Sequence, residues 1–227
     1  MDLSRVEYVI GKENIGRLAC AHVAVVGLGG VGSYIAEALA RSGVGALTLV
    51  DADTVASSNI NRQLPALQST MGRRKTEVIA ARIADINPDC RVTLRSSFYE
   101  PGNFNAFFPE KIDYVADAID STASKIDLLK ECYRRSIPVI SSMGTGNKLD
   151  PGCLSVTDIS KTHTCPLAKS VRRRLRQEGI ERGITVVFST EQPVRSKQAD
   201  VPGSMVFVPA SSGLLIASYI VRQLIAM

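Results

Sequence analysis

From His22 onward, apolar and polar positions fall into blocks of two alternating kinds. HVAVVGLGGVGS (22–33) is an apolar, β-branched run that breaks into glycines. YIAEALARSGV (34–44) then repeats its apolar positions at helical spacing until Gly43. ALTLVDAD (46–53) reads as a second strand, so the three blocks form a β-α-β unit. A helix is predicted over GRRKTEVIAARIADIN (72–87), stopped by Asn87-Pro88, and a third strand over RVTLRSSF (91–98). DYVADAID (113–120) is the fourth strand, SKIDLLKECYRRS (124–136) a helix, and PVISSMG (138–144) a fifth strand without charge, as buried parallel strands are. The alternation predicts an α/β fold, a doubly wound, mostly parallel Rossmann-like sheet.

After Gly146 the rhythm changes. GCLSVTDIS (152–160) and ITVVFST (184–190) read as strands flanking a helix in PLAKSVRRRLRQEG (166–179), a mixed C-terminal extension of the sheet. The polar loop at about 190–203 is a candidate lid, or simply an exposed connection. SMVFVPASSG leads into a closing apolar segment interrupted by Arg222 and Gln223. That segment is shorter than the roughly 20 residues of a membrane span, so a packed helix is expected and no membrane partner. The chain is expected to be one domain, residues 1–227, with a nucleotide-binding half (1–146) and a substrate-side half (147–227).

Composition narrows the class. The chain has 227 residues, 45% of them hydrophobic and 22% charged, enough to bury a core. A net charge of +5 permits a polyanionic partner without requiring one. The five cysteines are odd in number and none are paired as CxxC, against a zinc ribbon or a disulfide framework, so no zinc is expected. The N-terminus carries charges throughout and lacks the apolar core of a signal peptide, and a reducing cytoplasm is the expected compartment.

Gly27, Gly29 and Gly32 fit G-x-G-x-x-G between strand and helix. The first permits a tight turn, the second close approach of backbone to a phosphate, and the third close packing of helix on strand. Asp51, at the end of the second strand, is placed to bind ribose hydroxyls. NAD and ATP both satisfy this much. DADTVASSNINRQ (51–63) separates them, because hydride transfer leaves the pyrophosphate unreacted, whereas breaking ATP needs cations on the leaving phosphates. Asn59, Arg62 and Lys75 follow the ribose aspartate, and Asp120 closes the fourth strand as a candidate Mg²⁺ ligand. Singly, the two cations read as surface charges, Asp120 as a helix N-cap and Asn59 as an Asx turn.

Taken together, GLGGVGS, LVDADTV, NRQ, the Lys75 helix and DAIDS resemble the ThiF/MoeB/HesA (ubiquitin-activating-like) superfamily, whose members adenylate carboxylates with ATP. The resemblance implies that Asp51 and Asp53 belong to the nucleotide site, that Asn59, Arg62 and Lys75 hold the triphosphate, and that Asp120 binds magnesium. Arg5 matches an arginine that members insert into a partner subunit's site, which implies a homodimer. The carrier-charging branches carry two CxxC pairs, absent here. SSMGTGNKLDPGCLSVTDISKTHTCPLAKSVRRRLR (141–176) instead resembles the tRNA threonylcarbamoyladenosine dehydratase branch. The activity implied is ATP-dependent cyclisation of the threonylcarbamoyl group on adenosine 37 of tRNA through a carboxyl-adenylate. The alternative is an adenylyltransferase for a ubiquitin-like sulfur carrier. A sulfur-transfer protein is a candidate partner, as for some relatives, and a monovalent cation site is left open.

Such a cyclisation needs no enzyme thiol, since the attacking nitrogen already belongs to the substrate. Cys165, two residues from His163, is accordingly read as structural. In KSVRRRLRQEG, Leu167, Val171 and Leu175 are expected to bury one stripe. Lys169, Arg172, Arg173, Arg174 and Arg176 would then face tRNA phosphates or simply solvent.

Overall fold

A computed structural model describes residues 1–194 and 202–226. Its seven-stranded sheet has the order β3-β2-β1-β4-β5-β7-β6. The strands are β1 (His22–Val26), β2 (Ala46–Val50), β3 (Arg91–Arg95), β4 (Tyr114–Asp117), β5 (Val139–Ser142), β6 (Leu154–Asp158) and β7 (Thr185–Ser189). All neighbours pair parallel except β6 and β7, so the expected mixed extension is one antiparallel edge strand.

The helices are α1 (Ser4–Ile10), α2 (Lys12–Cys20), α3 (Gly32–Arg41), α4 (Lys75–Ile86), α5 (Phe104–Phe107), α6 (Thr122–Arg134), α7 (Pro166–Gln177) and α8 (Phe207–Ile225). Strand pleating sends alternate residues of β1 to opposite faces. Val23 and Val25 join a core with Leu39 of α3, Ile79 of α4 and Ile216 of α8. Ala24 and Val26 join a second core with Phe104 of α5, Leu128 of α6 and Val171 of α7. Two covered faces explain why apolar residues of β1 and β2 point to both sides of the sheet.

The closing segment is indeed a packed helix. Ser212, Gly213, Ile216, Ala217, Ile220 and Leu224 of α8 are buried, and a Cβ on Gly213 would lie 2.5 Å from the Val31 carbonyl oxygen, so only glycine admits this approach to α3.

Three boundaries differ from expectation. The charged N-terminal segment, read without elements, forms α1 and α2, of which only Leu18 is buried. The helix expected from Gly72 begins at Lys75, because Gly72 takes a positive φ of 76° and Arg74 bridges Thr54 in extended conformation. The fourth strand ends at Asp117, not Asp120, where the Asp117 carboxylate turns the chain by accepting from Ile119 N–H at 3.0 Å. Of the candidate lid, residues 195–201 lie outside the described residues. Both its described flanks meet Asn147, which accepts from Val194 N–H at 2.7 Å through its carbonyl and from Gly203 N–H at 2.6 Å through Oδ1.

Candidate active site

The carboxyl ends of β1, β2, β4 and β5 open into a cleft of about 510 Å³. It lies where the strand order reverses between β1 and β4, the place where such sheets bind ligands. Gly27, Gly29, Asp51, Asp53, Asn59, Arg62, Lys75 and Asp120 all line it.

The three glycines are needed for three different reasons. Gly27 has a φ of 90°, and a Cβ there would sit 2.7 Å from the Ala118 carbonyl oxygen. A Cβ on Gly32 would lie 1.7 Å from the Gly27 oxygen, so α3 could not start so close to β1. On Gly29 a Cβ would meet nothing nearer than Gln63 Nε2 at 3.7 Å, so the protein itself leaves that face open to the cleft. The first turn of α3 follows directly, bringing the positive end of the helix dipole to the same place.

Asp51 is braced by backbone. Its Oδ2 accepts from Leu28 N–H at 2.7 Å and its Oδ1 from Asp53 N–H at 2.8 Å. Burial pushes its carboxyl above the usual range, against the opposing pull of Lys75 and of these two hydrogen bonds. Lys75 is buried at the first position of α4, and its ammonium lies 2.7 Å from Asp53 Oδ2. The Asp53 carboxylate is half exposed, so the pair keeps one open side. Arg62 donates through Nη1 to the Ser58 carbonyl and to Asn61 Oδ1, both at 2.8 Å. Asn59 Oδ1 accepts from Ala56 N–H at 3.1 Å, the local turn its sequence allowed. Asp120 is exposed on the opposite wall, without a hydrogen bond to its carboxylate among the described residues. Arg5 is exposed on α1 and does not line its own chain's cleft.

Two expectations for α7 need correction. Its buried stripe is Ala168, Val171 and Leu175, while Leu167 is half-buried and lines the cleft. Arg172 does not stand free in solvent: it is half-buried, and its Nη1 donates to the Thr162 carbonyl at 2.7 Å and to Thr162 Oγ1. Lys169, Arg173, Arg174 and Arg176 are exposed. Cys165 is buried, whereas His163 is exposed with its ring 5.2 Å from that of Phe188, so the two make no catalytic pair. Among the described residues no group of three or more His, Cys, Asp or Glu is arranged to hold a metal.

Sequence reasoning missed two buried lysines. Lys125 donates from Nζ to Asp117 Oδ2 at 2.6 Å, to Ser141 Oγ at 3.1 Å and to the Ser142 carbonyl at 3.0 Å. The signal was its place in the apolar stripe of α6 with Leu128, Leu129 and Cys132. Lys148 donates to the carbonyls of Gly144 at 3.0 Å and Ser189 at 3.4 Å, and burial lowers its pKa. Both lysines tie down segments that form the cleft's wall after β4 and β5.

The glycine turn, the Asp51 carboxylate at the end of β2 and the neighbouring cations are the features of a Rossmann-type nucleotide-binding fold. The chain belongs to the ThiF family, which matches residues 3–227. It is 48% identical over 238 residues to the tRNA threonylcarbamoyladenosine dehydratase of Bacillus subtilis (strain 168), across 98% of this chain and 94% of that one. With the enzyme of the same name from Escherichia coli (strain K12) it shares 38% over 242 residues, across 95% and 90%. The crystal structure of the E. coli dehydratase TcdA in complex with ATP superposes with a TM-score of 0.93 at 39% identity, covering 99% of this chain and 93% of that one.

Proposed function

We propose that this chain dehydrates N6-threonylcarbamoyladenosine in tRNA at the expense of ATP, closing the threonylcarbamoyl side chain into a ring. The observation that carries this reading is likeness to the dehydratases along nearly the whole of both chains, including the half beyond the nucleotide motifs.

The chemistry follows from the weakness of a carboxylate as electrophile. A carboxylate oxygen of the substrate attacks the α-phosphorus of ATP and pyrophosphate leaves. A nitrogen of the same modification then attacks the acyl carbon, AMP departs with that oxygen, and a proton is released. The net change in the nucleoside is loss of one water, and the second attack has the advantage of an intramolecular reaction.

The residues of the cleft fit these demands. The open face of Gly29 beside the start of α3 suits phosphate, and Asp51 keeps acceptor capacity for ribose hydroxyls beyond its two backbone donors. Arg62 and Lys75 would balance the charge that grows on the leaving pyrophosphate. A magnesium ion, when bound, would screen the phosphates. One open carboxylate such as Asp120 suits an ion that otherwise keeps phosphate oxygens and water as ligands.

Arg5 would act in the cleft of a second copy. Tyr8 and Val9 beside it are 86% and 83% exposed, which favours a homodimer through α1. Lys169, Arg173, Arg174 and Arg176 would track tRNA phosphates near the cleft mouth, where Leu167 of the same helix already reaches. The five cysteines are free, and together with the tRNA substrate this supports a cytoplasmic setting.

The test incubates the protein with ATP, magnesium and tRNA bearing the modification, then measures AMP, pyrophosphate and the mass of the released nucleosides. Loss of one water matched by AMP is the expected result. ATP binding without AMP release or mass change would overturn the proposal, and adenylation of a carrier protein's C-terminal glycine would replace it.

A further inference from the structure

Gln63 stands out among the polar side chains of the cleft. It is 91% buried, being 9% exposed, and lines the cleft floor between Arg62 and Leu64. Its backbone is fully used, with N–H donating to the Asn59 carbonyl at 3.0 Å and its own carbonyl accepting from Ala66 N–H at 3.1 Å. Its amide makes no hydrogen bond with any described residue, and Oε1 is cut off from solvent as well. A buried amide left unpaired is costly, and a ligand in the cleft can complete its donor end, Oε1 being an acceptor that an anion cannot pair.

The position of the other end says what that is. Nε2 is the one described atom within 4 Å of the space a Cβ would occupy on Gly29, at 3.7 Å. That space is the open face of the glycine loop, beside the N-terminal turn of α3, where an anion is favoured. An NH₂ group there has two protons to donate and no acceptor among the described residues. We infer that Gln63 is an anion-binding residue of this site, donating through Nε2 to a phosphate oxygen of the nucleotide held against Gly29.

This rests on the nucleotide reading above and extends it to a residue that carries no charge. A neutral amide adds a directed hydrogen bond without adding to the positive charge of Arg62 and Lys75. It thereby helps select the position of the phosphate that the cations attract.

The experiment measures binding of ATP and of adenosine, by calorimetry, to wild type, Gln63→Met and Gln63→Glu, alongside thermal unfolding of each without ligand. Met conserves volume and removes the unpaired amide, so that variant should fold with an unchanged or raised Tm. Its ATP affinity should fall roughly ten- to a hundredfold, as for one hydrogen bond to a charged group, while adenosine binds as before. Gln63→Glu should lose more, with the loss deepening as pH rises and the carboxyl ionises beside the phosphate.

Wild-type ATP affinity in Gln63→Met would overturn the inference. Equal loss of ATP and adenosine would also overturn it, assigning Gln63 to packing. Failure of the wild-type chain to bind ATP at all would instead remove the nucleotide reading itself, a result distinct from both.

Discussion

Lys125 Nζ lies 2.6 Å from Asp117 Oδ2, and neither side chain reaches solvent. Ser141 Oγ and the Ser142 carbonyl complete the ammonium's hydrogen bonds, and Ile119 N–H donates to the other carboxylate oxygen. One pair thus joins the ends of β4 and β5 to the loop that carries Asp120. Removing one partner strands a buried charge, so Lys125→Met should cost about 3–5 kcal/mol. Asp117→Asn combined with Lys125→Met should recover most of that loss. Urea unfolding of the two variants checks this; equal loss in both would show that burial of the pair is not the cause.

Gly29→Ala and Gly32→Ala separate ligand space from packing space. An alanine at position 32 would drive its methyl into the Gly27 oxygen, and the variant should unfold or express poorly. At position 29 the methyl meets open cleft, so the protein should keep its Tm within a few degrees yet bind ATP at least tenfold more weakly. Normal ATP affinity in Gly29→Ala would move the phosphate elsewhere.

Arg62→Ala and Lys75→Ala should each lower kcat by roughly a hundredfold or more, the cost of one transition-state charge contact. Only the second leaves Asp53 without its ion-pair partner, so its Tm should drop further than that of Arg62→Ala. Single-turnover AMP release, read beside thermal unfolding, distinguishes the chemical loss from the structural one.

Asp51 gives a pH dependence whose sign is set by burial. Its folded carboxyl pKa lies above the unfolded value, so the native state binds the proton more readily. Ionised Asp51 therefore costs stability at neutral pH, and the cost disappears as pH falls through the raised pKa toward about 4. Asp51→Asn should be more stable than wild type at pH 7 and no more stable near pH 3.5, while binding ATP less well. A stability difference that does not change with pH would exclude this cause.

On α7, Arg173→Ala with Arg174→Ala should weaken tRNA binding and reduce the slope of log affinity against log salt by about 1 for each phosphate no longer neutralised. Arg172→Ala should leave the slope alone and cost about 1 kcal/mol of stability, because its guanidinium serves Thr162. A salt titration of binding by both variants decides which arginines meet phosphate.

Much of this protein was legible in its pattern of residues. Uncharged, mostly apolar runs at β1 and β2 and the charge-free run at β5 announced strands covered on both faces, and the glycines with Asp51 announced the nucleotide end, because turn geometry and strand termini are local properties. The resemblance carried the function, through motifs whose spacing survives in one dimension. Other features needed the tertiary structure. The start of α4 at Lys75 depends on a bridge from Arg74 to Thr54, and the end of β4 on the Asp117 carboxylate. The diversion of Arg172 from solvent depends on Thr162, ten residues away around a helix start.

Most of all, the partners of charged and polar groups were decided by packing. Sequence placed Lys125 on a helix and Gln63 in a motif. Burial alone determined that the first would meet Asp117, Ser141 and the Ser142 carbonyl, and that the amide of the second would meet no partner among the described residues. A side chain's cost or use depends on which donors and acceptors the closed structure brings within about 3 Å of it. Contacts across the sheet, set by β4, β5 and α6 coming together, have no signature in the order of residues along the chain.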